Sequence, residues 1–353
     1  MPLQILRIID ANCNRVSEGL RFLEDVSRFL LNDAALSKQL KQMRHGVISR
    51  LSEFGPTLIS PRNTETDVGI GTSISRQQNI SSLVVANARR IEEGLRVIEE
   101  FSKLPELRVK LRSKDFEAMR FRLYSIHREL LSRVTRRQKI ERLRGLYIII
   151  DTRTLGSGNA AGAARNAIRG GARAIQLRGK DQNKASLLVL AEQLAELCRK
   201  ANVLFIVNDY PEIAMASGAD GIHVGQDDLP VKVIRRELPI DSVIGVSVTT
   251  VAQARKAEKE GADYIAVSAV FPTPTKAEAK AVGLKGLQQV KKAVSIPVVA
   301  IGGINRQNIG KVLSYGADAV ACISAVFGQK DTEAAVSRLV REIEKRRKNI
   351  QKS

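Results

Sequence analysis

"AIQLR" (Ala174–Arg178), "ASLLVLAEQLAELCRKA" (Ala185–Ala201) and "LFIVND" (Leu204–Asp209) follow one another closely in the chain. A short apolar run, a stretch with apolar residues at helical spacing and a second short run spell strand, helix, strand. The texture repeats from Gly145 onward, in "LYIIID" (146–151), "GIHVG" (221–225), "VIGVSV" (243–248), "YIAVSAVF" (264–271), "PVVAIGG" (297–303) and "AVACISAVF" (319–327). Strands that are apolar on both faces and alternate with helices belong to a parallel sheet covered on both sides. Eight βα units in about 205 residues predict a closed (β/α)8 TIM barrel, and their even spacing disfavours an open doubly wound sheet.

The chain before the barrel reads differently. Residues 1–143 are expected to form an all-α helical domain ahead of a barrel over 144–350, an α/β protein as a whole. "ANCNRVSEGLRFLEDVSRF" from Ala11 is answered by "ANARRIEEGLRVIEEFSKL" from Ala86: Asn12, Arg15, Glu18, Gly19, Arg21 and Glu24 return as Asn87, Arg90, Glu93, Gly94, Arg96 and Glu99. At 100° per residue Asn12, Val16, Gly19 and Leu23 share one helix face, as do Asn87, Ile91, Gly94 and Ile98. Two readings stand. Either the repeats pack pseudo-symmetrically along one seam, with Glu18–Arg21 and Glu93–Arg96 as flanking pairs, or the polar repeats form a pocket with Arg62, Asp67 and the "DVGIGTS" loop. The loop chemistry of Ser60–Ser75 separates them.

Composition narrows the class. No window approaches the roughly 18 consecutive apolar residues of a membrane helix, and the N-terminus lacks a signal pattern. Cys13, Cys198 and Cys322 are far apart, without a CxxC, which points to a reducing, cytoplasmic setting and away from zinc. The net charge of +20 is spread, with 27 Lys and Arg against 17 Asp and Glu through Arg144 and 30 against 20 beyond. The densest basic run, "RVTRRQKIERLR" (Arg133–Arg144), has no aromatic residues for stacking bases, and the chain has no Trp. A diffuse positive field suits small anionic substrates, and nucleic acid and membrane are not expected partners. The sequence is compatible with a homo-oligomer.

Chemistry in such barrels sits at the C-terminal strand ends. There the chain places Gln176, Arg178 and Lys180; Asn208 and Asp209; Gln226, Asp227 and Asp228; Ser247; Thr273, Thr275 and Lys276; Gly302 and Gly303; Ile323 and Ser324. Asp209 and Asp228 on neighbouring strands suit one hard cation, because Mg²⁺ takes one or two carboxylates plus substrate phosphate oxygens. Asp209 capping the helix that begins near Pro211 is the plainer alternative. Arg178, Lys180 and Lys276 form a charge pattern for a diphosphate. Gly302, Gly303 and the backbone near Ser324 occupy the recurrent phosphate site after strands seven and eight. No nucleophile–base set is visible. The residues therefore point to departure of a diphosphate, with catalysis by positioning and electrostatic stabilisation. His45, His127 and His223 are read as structural.

"QLRGK", "VND", "GIHVGQDD", "GVS", "PTPTK" and "AIGGI", in this order and spacing, resemble thiamine-phosphate synthase over about residues 145–345. The resemblance implies a transferase that joins hydroxymethylpyrimidine diphosphate to thiazole phosphate by a dissociative, Mg²⁺-assisted route. It implies that Gln176, Leu177, Arg178, Gly179, Lys180, Asn208, Ser247 and Lys276 hold the pyrimidine diphosphate. Arg178, Lys180 and Lys276 would be catalytic, and Asp209 and Asp228 would bind Mg²⁺. Thr273, Pro274, Thr275, Gly303, Ile323 and Ser324 would hold the thiazole phosphate. One departure stands out: the family often has a His near "GVS", where this chain has Thr249. Residues 1 to about 125 look like the domain fused to some bacterial thiamine-phosphate synthases, for which a hydroxymethylpyrimidine phosphate kinase role has been proposed. No Walker-type loop accompanies that likeness. A thiazole tautomerase-like barrel, or a barrel turned ligand sensor, are the rival functions.

Overall fold

The computed structural model describes residues 3–51, 54, 79–156, 158–273 and 281–352. The chain divides into two compact units, Met1–Thr135 and Arg136–Ser353.

The first unit is helical. It contains α1 (Leu3–Asp25) with a π-helical turn (Val26–Leu30), α2 (Ala34–Leu51), α3 (Ile80–Phe101) and most of α4 (Ser113–Glu141). Val16, Leu20 and Leu23 of α1 and Ile91, Leu95 and Ile98 of α3 are fully buried, which places their core at the stripe anticipated from the spacing. The loop Ser60–Ser75, with Arg62 and Asp67, lies outside the described residues.

The second unit contains a closed barrel of eight parallel strands in chain order. They are β1 (Leu146–Asp151), β2 (Ala174–Arg178), β3 (Leu204–Asn208), β4 (Gly221–Val224), β5 (Val243–Val248), β6 (Tyr264–Ser268), β7 (Val298–Ile301) and β8 (Ala319–Cys322). Helices α5 (Thr152–Leu155), α6 (Ala160–Arg169), α7 (Lys184–Lys200), α8 (Pro211–Ala216), α9 (Val231–Glu237), α10 (Val251–Glu260), α11 (Gly283–Ala293), α12 (Ile309–Ser314), α13 (Ser324–Phe327) and α14 (Thr332–Lys352) accompany them. β1 closes on β8 with Leu146 opposite Val320. Every residue of β1 is buried because alternate side chains serve two cores. Tyr147 and Ile149 face the barrel interior with Ile206, Tyr264 and Val299, whereas Ile148 and Ile150 face the helices with Leu187 and Leu194. This two-sided burial is why the strands read as continuous apolar runs rather than as alternating ones. No described helix is long and apolar enough to cross a membrane.

Arg136–Leu143, placed with the helical domain on sequence grounds, pack with the barrel unit. Ile140 and Leu143 join the barrel-interior cluster, and Arg136, Lys139 and Arg142 reach Asp263, Asp241 and Asp220. The basic run therefore has a structural use within this unit.

Candidate functional site

Parallel pairing sets the height of each strand end. Asp151 of β1 stands opposite Arg178 of β2, Asn208 of β3 opposite His223 of β4, and Ser247 of β5 opposite Ala266 of β6. These rows deliver polar side chains into two adjoining cavities at the C-terminal mouth. One, of about 110 Å³, is lined by Gln176, Arg178, Asn208, Ser247, Thr273, Gly303, Ile323 and Ser324, with Tyr147, Ile149 and Val299 as its apolar walls. The other, of about 290 Å³, is lined by Arg178, Lys180, Asn208, Asp209, Asp228 and Ser247. Arg178, Asn208, His223, Ser247 and Ser268 border both.

The second cavity concentrates charge. Lys180 Nζ lies 2.9 Å from Asp209 Oδ2, and Asp228 Oδ2 accepts the Gly225 amide at 2.7 Å. Burial and the neighbouring Asp209 charge raise the Asp228 carboxyl above the ordinary carboxylate range, against the Gly225 hydrogen bond and Lys180, which lower it. Two carboxylates that disfavour each other's charge in one cavity suit a divalent cation, which would relieve that repulsion. The donor set is all oxygen and leaves coordination positions for a substrate's phosphate oxygens, as Mg²⁺ prefers. Asp209 holds a left-handed backbone at φ 65°, a strained conformation for a side chain with a Cβ, and its amide donates to the His223 carbonyl at 2.9 Å. The capping alternative does not describe it: Tyr210 is the N-cap of α8, and no side chain caps that helix.

Around the first cavity the chain turns on glycine. Gly302 and Gly303 adopt φ 103° and 62°. A Cβ on Gly303 would come within 2.7 Å of the Pro272 carbonyl oxygen, so the backbone approach there requires glycine. Ser324 opens the short helix α13 beside it. Leu177 and Gly179 are buried, and the Leu177 side chain packs into the sheet–helix core, leaving only its backbone for the mouth. Pro274, Thr275 and Lys276 lie outside the described residues. Thr249, at the expected histidine position, borders the second cavity, and its amide and hydroxyl both donate to Gln253 Oε1 at the start of α10.

Residues not anticipated from sequence complete the floor. Gln176 Nε2 donates to the Tyr147 hydroxyl at 2.7 Å, and the Tyr147 hydroxyl lies 3.1 Å from that of Tyr264. Tyr264 is 3.0 Å from His223 Nδ1, and His223 Nε2 is 2.9 Å from Ser247 Oγ. This chain of contacts joins β2 to β5 across the barrel. Burial pushes both phenols up, so they stay neutral in the physiological range. His223, read as structural, borders both cavities. In "GIHVG" it takes the inward position, between Ile222 and Val224, which pack outward against the helices. Asp151 was also missed. It is 2% exposed, accepts the Arg153 amide at 3.0 Å and forms an ion pair with Arg178. Its signal was its place as the last residue of "LYIIID", the strand end next to that of Arg178.

Known families match both units of the chain. A family model described as thiamine monophosphate synthase matches residues 146–326, and one described as the ThiD2 family matches residues 7–129. The thiamine-phosphate synthase of Synechocystis sp. is 36% identical over 347 residues, covering 97% of each chain. That of Prochlorococcus marinus subsp. pastoris is 37% identical over 352 residues, covering 97% of this chain and 96% of its own. Among solved structures, a thiamine phosphate pyrophosphorylase from Pyrococcus furiosus is 39% identical, covers 58% of this chain and 98% of its own, and superposes with a TM-score of 0.55. With half the chain under one family model and relatives similar over nearly its full length, the chain belongs to the thiamine-phosphate synthase family.

Proposed function

We propose that the barrel condenses 4-amino-2-methyl-5-hydroxymethylpyrimidine diphosphate with 4-methyl-5-hydroxyethylthiazole phosphate, giving thiamine phosphate and diphosphate. The observation that carries this reading is the pair of adjoining cavities. One is charged, with Asp209, Asp228, Lys180 and Arg178; the other is apolar-walled and ends at Gly303 and Ser324. A diphosphate group fits the first, and the second has room for an aromatic ring whose phosphate lies against the glycine turn.

Arg178, Lys180 and Lys276 stabilise the charge that builds on the departing diphosphate. The C–O bond breaks with its electron pair on the leaving group, and the pyrimidine methylene cation that remains is captured by the thiazole nitrogen lone pair. No proton has to move, so neither a covalent nucleophile nor a general base is required. Gln176, Asn208 and Ser247 orient the pyrimidine. Thr273, Thr275, Gly303, Ile323 and Ser324 hold the thiazole phosphate. Asp209 and Asp228 would hold Mg²⁺, which when bound supplies Lewis-acid neutralisation of the phosphate oxygens. A thiazole tautomerase would have no use for this acid and cation set.

Thiamine phosphate formed from the two purified precursors, lost on chelation and restored by Mg²⁺, is the expected result. Asp209→Ala should lower turnover by at least about 100-fold, about 3 kcal/mol of transition-state stabilisation, with an unchanged unfolding midpoint. Turnover that persists in EDTA, or in that variant, would overturn the assignment. We place this activity in the barrel unit, Arg136–Ser353, which follows the helical unit, Met1–Thr135, in the chain, and in a reducing cytoplasmic setting. ADP release on adding ATP and the pyrimidine monophosphate to the full chain tests the kinase alternative for the helical domain.

A further inference from the structure

Asp151 ends β1 opposite Arg178, yet it borders neither cavity of the mouth. Its two carboxylate oxygens serve two tasks. Oδ1 accepts the Arg153 amide at 3.0 Å and the Thr154 amide at 3.4 Å, which caps the short helix α5. Oδ2 accepts from Arg178 Nη1. Capping takes one oxygen and no charge, since asparagine caps a helix as well as aspartate does. The cap therefore does not explain why a full negative charge is buried to 2% exposure with its second oxygen on Arg178. Stability does not explain it either, because a buried ion pair gains little over apolar packing.

The two described cations of the mouth are held by different kinds of acid. Lys180 pairs with Asp209, which borders the charged cavity and is one of the acids proposed for Mg²⁺. Arg178 pairs with an acid that lies outside both cavities, so this partner is not shared with a ligand. Among the described residues the Arg178 guanidinium makes no other hydrogen bond or ion pair, which leaves Nε and Nη2 available on a side chain that borders both cavities. A second tie runs beside the first. The buried Thr152 hydroxyl donates to the Asp181 carboxylate and lies 3.4 Å from the Arg178 carbonyl oxygen. Two consecutive residues at the end of β1 thus hold Arg178 by its side chain and its main chain.

We propose that Asp151 is a positioning residue for the synthase reaction: it holds the Arg178 guanidinium in the orientation that meets the diphosphate as the C–O bond breaks. The inference rests on the barrel chemistry proposed above. A free arginine samples many rotamers, and binding would have to fix it each time; Asp151 fixes it beforehand. The same carboxylate offsets part of the guanidinium charge, so it acts through geometry and not through attraction for the anion. Kinetics separate these two effects. Loss of the carboxylate frees the charge and loosens the geometry, so kcat falls while KM for the pyrimidine diphosphate stays level or drops.

Asp151→Asn in the full chain is the test, because asparagine keeps the size and the cap of α5. Its kcat should fall at least about tenfold, with KM for the pyrimidine diphosphate no higher than in the unaltered protein. In an Arg178→Gln background the same substitution should change kcat by less than about twofold, because the side chain it orients is gone. NMR of protein carrying isotope-labelled arginine gives a readout independent of turnover. Without substrate, the Arg178 Nη resonances, identified by their loss in Arg178→Gln, should be separate in the unaltered protein and averaged in Asp151→Asn. If the unaltered protein forms no thiamine phosphate, the barrel chemistry falls, and the arginine resonances alone decide the anchoring. A kcat loss that persists in the Arg178→Gln background, a raised KM with unchanged kcat, or Arg178 resonances indifferent to Asp151→Asn would overturn the proposal.

Discussion

His223 is held at both ring nitrogens, by Ser247 and Tyr264, and stacks on the Tyr264 ring with centroids 5.5 Å apart. Its position lets one side chain set the orientation of two proposed pyrimidine contacts, Ser247 directly and Gln176 through the tyrosines. Polar networks of this kind act as units, so removing the central member disturbs both ends. His223→Ala should therefore lower kcat/KM about tenfold, about 1.4 kcal/mol, while the diphosphate cavity keeps its charges. Steady-state kinetics with the pyrimidine substrate varied checks this, and an unaltered kcat/KM would remove the positioning role. Residue type and strand-end position made Asp209, Asp228 and Arg178 legible in sequence. They did not make His223 legible, because an isolated histidine inside an apolar strand carries no sign of which face it takes until neighbouring strands set the register.

The α1–α3 pair shows the same division one level up. Helical spacing correctly grouped Asn12, Val16, Gly19 and Leu23 on one face, because that grouping follows from 3.6 residues per turn. The spacing did not reveal that Gly19 abuts Ile91 and Gly94 abuts Val16, nor which acid each arginine selects. Arg21 reaches Glu24 and Asp25, and Arg96 reaches Glu99 and Glu100, in place of the flanking pairs expected with Glu18 and Glu93. Gly19→Val tests the seam. Valine is favoured over glycine in a helix by less than about 1 kcal/mol, whereas forcing side-chain atoms into a 2.6 Å approach to Ile91 costs about 1–3 kcal/mol. Overpacking wins, and the helical unit should lose about 2 kcal/mol of stability in urea unfolding. An unchanged or raised midpoint would mean that the two helices do not touch there.

Across the chain, the excess positive charge has a local use in the barrel unit. Arg136 bonds Asp263 at 2.8 Å and the Ile240 carbonyl at 3.0 Å, Lys139 bonds Asp241 at 2.7 Å, and Arg142 bonds Asp220 at 3.1 Å. These carboxylates stand just ahead of β4, β5 and β6, at the end opposite the mouth. Asp263 also pairs with Arg235, so Arg136→Ala leaves it one guanidinium rather than none. The expected loss is about 2 kcal/mol, below the 3–5 kcal/mol of a fully orphaned buried charge. Synthesis of thiamine phosphate should persist below the melting temperature. Thermal unfolding of the full chain measures it, and an unshifted Tm would return this arginine to the solvated surface.

Strand and helix periodicity is local, and a parallel sheet buried on both faces leaves few closed arrangements for eight βα units. The barrel, its mouth and the position of Arg178, Lys180, Asp209 and Asp228 there were therefore readable from the amino acids alone, while Lys276 lies outside the described residues. Pairing across the barrel and across the helix seam is non-local. It took folding to bring Asp151 onto Arg178, to join His223, Tyr264, Tyr147 and Gln176 into one chain of contacts, and to leave Arg15, Glu18, Arg90 and Glu93 facing a shared cleft. Residues far apart in sequence meet only through register and packing, and neither is written in any single segment.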